Sequence, residues 1–154
     1  LGLHDESVRL LEERLLTSPD AVSLLVSLGS IYQECGEWKQ AEEKYLLAMD
    51  SHPPSASLLL ALSQVYATMG RYDTAVDYLE KALQKEKDRK DILLELGKVW
   101  RWQGVHERAE SIYKQALELD EKDPAVWQEL AAVYAETGRW NEATAALKNI
   151  SENK

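Results

Sequence analysis

The sequence predicts an all-α solenoid of antiparallel helix hairpins, and three columns of residues predict it. Gly36, Gly70, Gly104 and Gly138 stand 34 residues apart, each followed two places on by Trp38, Tyr72, His106 or Trp140. Leu28, Leu62, Leu96 and Leu130 keep the same register, as do Tyr32, Tyr66, Trp100 and Tyr134. Ala41, Ala75, Ala109 and Ala143 form the third column. A period of this length marks stacked supersecondary units, each too small to bury its own apolar face. Each glycine closes one helical apolar pattern and opens another, the place for a left-handed residue just past a helix C-terminus. The alanines allow two helices to cross with axes about 8–10 Å apart. Leu25, Leu59, Leu93 and Trp127 fill the space beside them.

Taken in order, residues 1–21 read as the second helix of a truncated repeat, because Leu1-Gly2-Leu3-His4 matches the register of Cys35-Gly36-Glu37-Trp38. Val8, Leu11, Leu15 and Leu16 give that helix its stripe, and Pro19 aligns with Pro53. The first full repeat, 22–55, opens on Asp20 as a helix cap and ends at Pro53-Pro54. The second, 56–89, ends in a charged turn from Lys85 to Arg89. The third, 90–123, carries Trp100 in the tyrosine column and His106 in place of the aromatic after the turn. The fourth, 124–154, opens on Asp123-Pro124, a cap followed by a proline whose missing N–H costs nothing in the first turn. Ile150 stands where earlier repeats have Ala48, Ala82 and Ala116, so this repeat reads as truncated or terminal. Nine helices in one continuous domain are expected, cut from a longer protein.

The pattern resembles the tetratricopeptide repeat over nearly the whole chain, in its spacing, its Leu28-Gly29 and Leu96-Gly97 pairs, its aromatics and its alanines. The resemblance implies a right-handed superhelix with the first helix of each hairpin on the concave side, used as a protein–protein interaction scaffold. Two specialised subclasses do not fit. The carboxylate clamp of co-chaperones needs Lys, Asn, Asn, Lys and Arg where this chain has Val26, Ser30, Ala61, Asp91 and Glu95, or one repeat later Leu60, Gln64, Glu95, Ala125 and Glu129. The asparagine ladder of sugar transferases meets Ser27, Ala61, Glu95 and Glu129. The alternative is a structural docking module of a bacterial envelope or exopolysaccharide-export assembly.

A net charge of −9 repels phosphate backbones and anionic lipid, which argues against nucleic acid or a membrane surface as partner. The inner column Val26, Leu60, Leu94 and Gln128 also lacks the basic character of an RNA-reading array. No apolar run approaches the roughly 18 residues of a membrane span, so a soluble protein of the cytoplasm or a bacterial periplasm is expected. Cys35 is the single cysteine, excluding an internal disulfide. His4, His52 and His106 fall at turns of three different hairpins, so neither a metal nor another cofactor is expected. The neighbouring carboxylates Glu12-Glu13 and Glu42-Glu43 diverge by about 100° around a helix, and nucleophile and phosphate-binding motifs are missing. The chain is expected not to be an enzyme.

The candidate site is a strip on the concave face. Leu60 and Leu94 project from successive first helices, with Gln64, Lys98, Arg101 and Trp102 one to two turns further along. Small Ala67, Ala132 and Ala135 are expected to leave room around them for a protein segment with an apolar anchor and an acidic flank. Self-association through exposed array ends is also expected, because a cut through a repeat leaves helix faces without a neighbour.

Overall fold

The computed structural model describes residues 2–15 and 21–152. Among them are nine helices: α1 (Gly2–Leu15), α2 (Ala21–Glu34), α3 (Trp38–Ser51), α4 (Ala56–Thr68), α5 (Tyr72–Lys85), α6 (Lys90–Trp102), α7 (His106–Leu119), α8 (Pro124–Glu136) and α9 (Trp140–Glu152). Helices α2/α3, α4/α5, α6/α7 and α8/α9 are tight hairpins, and each hairpin packs on the next through its second helix. First helices also touch the first helices on either side, so α2, α4, α6 and α8 form one inner layer. The result is the right-handed superhelical solenoid that the repeat predicts. Asp20, Leu16 and Pro19, and the His4 side chain, lie outside what is described.

Every hairpin turn is built the same way, and the glycine column is the reason. Gly36, Gly70, Gly104 and Gly138 have φ between +73° and +81°, where a side chain is strained. Each turn has two capping bonds: Gly36 N–H donates to Gln33 O and Glu37 N–H to Tyr32 O, at 3.1 and 2.8 Å. The same pair recurs at Gly70/Arg71, Gly104/Val105 and Gly138/Arg139. This is the Schellman closure of a helix C-terminus. The residue after the glycine then accepts from the alanine column, as Ala41 N–H donates to Glu37 O at 3.0 Å, and so starts the second helix. One residue thus ends one helix and begins the other, with no side-chain cap at Glu37, Arg71 or Val105.

First helices α4 and α8 do use side-chain caps. Ser55 accepts from Leu58 N–H at 3.1 Å, and Asp123 accepts from Ala125 N–H at 2.8 Å with Pro124 in the first turn. Asp123 is buried and also pairs with Lys90 Nζ, which reaches Asp120 at 2.9 Å. Burial pushes the Asp123 carboxyl up, but Lys90 and the helix N–H groups outweigh it and hold the pKa below the ordinary value. The charged turn after α5 is narrower than expected, since Lys85 still belongs to the helix; Arg89 pairs there with Glu86 and Asp91.

The core is a row of contacts between hairpins. One cluster joins α2 to α6, through Ile92, Leu96 and Val99, and a second joins α6 to α9, while Leu83, Trp100 and Ile112 pack against both. Inside each hairpin the helices approach through one of two arrangements. At Gly29 and Gly97 a Cβ would overlap the rings of Tyr45 and Tyr113, which are fully buried. One repeat later the same two columns hold Ser63 with Leu79 and Ala131 with Leu147. Where the first column holds glycine the second holds a tyrosine, and where it holds serine or alanine the second holds leucine.

Candidate concave-face site

The inner layer brings the six predicted residues onto two adjacent first helices, Leu60 and Gln64 on α4, and Leu94, Lys98, Arg101 and Trp102 on α6. Their surroundings differ. Leu60 and Leu94 are half-buried and pack against the core clusters. Trp102 is 48% exposed, the most open of the six. Of the alanines expected to leave room, Ala132 and Ala135 are half-buried, but Ala67 is buried in the core.

The polar members of the strip are engaged with neighbouring helices. Gln33 Nε2 donates to Gln64 Oε1 at 3.3 Å, joining α2 to α4. Lys98 Nζ lies 3.6 Å from Glu95 Oε2. Arg101 donates through Nη1 to Glu136 Oε1 at 2.7 Å and through Nη2 to Glu129 Oε2 at 3.2 Å, joining α6 to α8. Its side chain is only 19% exposed. Burial acts against the guanidinium charge, yet Glu136 and Glu129 outweigh it and hold Arg101 protonated. Arg101 is therefore the centre of a neutralised cluster. His106 adds to this corner, with Nδ1 3.5 Å from Glu136 Oε2.

Two buried tyrosines connect the core to this face. Each ring runs under a glycine of its own first helix and emerges at the inner layer. The Tyr45 hydroxyl donates to Gln33 Oε1 at 3.0 Å and lies 3.2 Å from Ser30 Oγ. The Tyr113 hydroxyl donates to Glu129 Oε2 at 3.4 Å. Burial raises both phenol pKa values, and Glu129 adds to the rise at Tyr113. Both remain neutral donors.

Two confluent grooves lie between α2 and α4. One, of about 370 Å³, is mainly apolar, with Val22, Val26, Pro54, Leu58 and Ala61 among its walls. The other, of about 430 Å³, is lined by Gln33, Glu34, Trp38, Tyr45, Gln64 and Thr68. They share Ser30 and Ala61 and so run into one another. Of the predicted residues, Gln64 alone reaches these walls. The missed residues Val26, Ser30 and Gln33 are one or more repeat lengths before Leu60, Gln64 and Arg101, a signal the period already contained. Amide donors and acceptors beside an apolar channel suit an extended or helical polypeptide. Among the described residues no three His, Cys, Asp or Glu side chains are placed to hold a metal, and no helix is long and apolar enough to cross a membrane.

Comparison with known proteins fits this geometry. Three family profiles described as tetratricopeptide repeat match residues 20–85, 60–124 and 101–154, together spanning 20–154. No curated protein matches in sequence. Among solved structures, a crystal structure of MamA superposes with a TM-score of 0.87 at 23% identity, over 99% of this chain and 89% of that one. YrrB, described as a TPR protein with an unusual peptide-binding site, gives 0.80 at 16% identity, over 99% and 79%. TTC0263, a thermophilic TPR protein of Thermus thermophilus, gives 0.78 at 24% identity, over 99% and 84%. These likenesses concern the fold.

Proposed function

Because the chain belongs to the tetratricopeptide repeat family, we propose that it is a non-catalytic interaction scaffold that takes a polypeptide segment of a partner protein along its concave face. The confluent grooves between α2 and α4 carry this reading, since they offer an apolar channel with amide groups at one end. From there the segment crosses Leu60 and Gln64, then Leu94 and Lys98, and reaches Trp102 beside Arg101. Trp102 supplies the anchor, and a desolvated Trp contributes about 2 kcal/mol or more of binding. The exposed outer faces of α1 and α9 supply a second contact, self-association of the array.

The test is selection from a random peptide display library followed by titration of the selected peptides. Trp102→Ala is expected to weaken binding at least tenfold while helicity and melting are retained, and Leu60→Glu to weaken it as much while also lowering the melting temperature, since Leu60 packs against the core. Glu43→Lys and Lys81→Glu, on second helices, are expected to leave it unchanged. The reverse pattern would move the partner to the convex side and remove the concave-face reading.

A further inference from the structure

Tyr45 and Tyr113 bring their hydroxyls to equivalent corners of the inner face, two repeats apart, and the two corners end differently. Around Tyr113 the corner closes on itself. Arg101, Glu129 and Glu136 stand there at the positions of Gln33, Ala61 and Thr68, and the guanidinium bonds both carboxylates. Around Tyr45, Gln33, Ala61 and Thr68 line the open groove of about 430 Å³ instead, together with Gln64.

The hydrogen bonds of the open corner have a direction. The Tyr45 hydroxyl donates to Gln33 Oε1, which leaves Gln33 Nε2 to donate to Gln64 Oε1. Gln64 is thereby left with Nε2 hydrogens that have no acceptor among the described residues. Thr68 Oγ1 donates its hydrogen to Gln64 O at 2.8 Å, so it offers the groove lone pairs only. Glu34 lines the same groove, exposed and without a cation partner among the described residues, and Trp38 adds a ring. Among the described residues lining the two confluent grooves, Glu34 is the only Asp, Glu, Lys or Arg.

These groups set what can sit there. The amide donors of Gln64 need an acceptor not already engaged. The carbonyls of an extended chain are free, whereas a helix keeps all but its last four for its own ladder. The apolar stretch past Val22, Val26, Leu58 and Ala61 strands any charge placed in it. The carboxylate, lone pairs and ring at the other end suit a Lys or Arg side chain, which only donates and which packs on aromatic faces.

Resting on the concave-face reading above, we propose that the partner segment is extended and uncharged along the α2/α4 channel, accepts from Gln64 through a main-chain carbonyl, and places one basic side chain at Glu34. Tyr45 is a positioning residue, since its hydroxyl fixes which way round the two amides point.

Display selection of random peptides on the full chain, on Glu34→Lys and on Gln64→Leu, followed by titration, tests this. The unaltered chain is expected to select uncharged stretches flanked by one Lys or Arg and to reject Asp and Glu. Glu34→Lys is expected to reverse the flank to Asp or Glu. Gln64→Leu is expected to weaken the selected peptides about tenfold and Tyr45→Phe about threefold, the range of single hydrogen bonds. An ester in place of one backbone amide, a poorer carbonyl acceptor, is expected to weaken binding to the unaltered chain but not to weaken it further in Gln64→Leu or, by the same full measure, in Tyr45→Phe. Acidic flanks on the unaltered chain, an unchanged flank on Glu34→Lys, or an ester effect that is missing at every position or undiminished in Gln64→Leu each overturn the proposal. If Trp102→Ala still weakens those peptides, the concave-face function stands without it. Binding indifferent to every inner-face variant but lost in Glu43→Lys removes both readings, as does a library that yields no peptide.

Discussion

The first and third hairpins differ from the second and fourth in how they hold their helices together. In the first and third, Gly29 and Gly97 clear a path for the Tyr45 and Tyr113 rings, whose hydroxyls surface among Ser30, Gln33 and Glu129. In the second and fourth, Ser63 and Ala131 share those columns with Leu79 and Leu147, side chains with no hydroxyl to bring to the inner face. These alternate hairpins instead carry a clasp to the hairpin before. Arg71 and Arg139 lie 4.5 and 4.4 Å above the rings of Tyr66 and Tyr134 and bond Glu42 and Glu110 of the preceding second helix. The other two hairpins have Glu37 and Val105 at that turn position. Two ways of tying hairpins together therefore alternate along the array, one linking the core to the inner face and the next clasping the preceding hairpin across the outer layer.

The sharpest way to break the comparison is to remove a strut. Tyr113→Ala empties a fully buried site and is expected to cost about 3–5 kcal/mol, as large aromatic truncations do. Leu79→Ala at the equivalent place, also fully buried, is expected to cost about 2–5 kcal/mol, but without disturbing the inner face. Urea melts give the two losses, and peptide titration separates them, since of the two only Tyr113 supports Glu129. A smaller effect sharpens the point. Gly97→Ala forces a Cβ into the Tyr113 ring and is expected to destabilise by about 1–3 kcal/mol. Gly97→Ser with Tyr113→Leu copies the Ser63 and Leu79 arrangement and is expected to recover much of that loss. A double variant less stable than Gly97→Ala would mean that the two arrangements are not interchangeable.

The legible part of the fold is whatever repeats at a fixed distance. Glycines at positive φ, buried alanines and the Gly29 and Gly97 contacts are each forced by the local backbone or by one close approach, so a column of letters reveals them. The partners of Arg101 are set instead by how one hairpin is rotated on the next. Glu136 lies 35 residues on and Glu129 lies 28 residues on, one repeat plus or minus a fraction of a turn or two. Glu42 with Arg71 and Lys90 with Asp120 obey the same rule at 29 and 30. Residues about one repeat apart are lateral neighbours. Read that way, Arg101 is a paired cation, its charge already met by Glu129 and Glu136 rather than held open for an acidic flank. Ala67 defeats a reading by column because a small side chain has no direction of its own; its burial depends on the neighbouring helix.

The clasp offers the mildest test, through acid. Arg139 bonds Glu110 at 2.6 Å and also pairs with Glu142, and Lys114 reaches Glu110 at 2.7 Å; Arg71 makes one bond to Glu42, at 3.2 Å. Burial pushes the Glu110 carboxyl up, but Arg139 and Lys114 outweigh it and hold the folded pKa below the ordinary value. A carboxyl whose folded pKa is depressed contributes stability that is present above its unfolded pKa, about 4.3 for Glu. That contribution is lost as pH falls from there through the depressed folded value. Glu110→Gln is thus expected to lower the melting temperature slightly at neutral pH, by less than Gly97→Ala does, and to flatten its fall between the ordinary carboxylate range and stronger acid. Asp123 and Asp91, also depressed by cationic partners, keep part of the acid response in the variant. Melting followed by circular dichroism from neutral pH into acid reads both effects. A profile parallel to that of the unaltered chain would show that the Arg139 clasp holds Glu110 no more firmly in the folded state than in the unfolded one, and the pairing of hairpins would then rest on the buried rings and leucines alone.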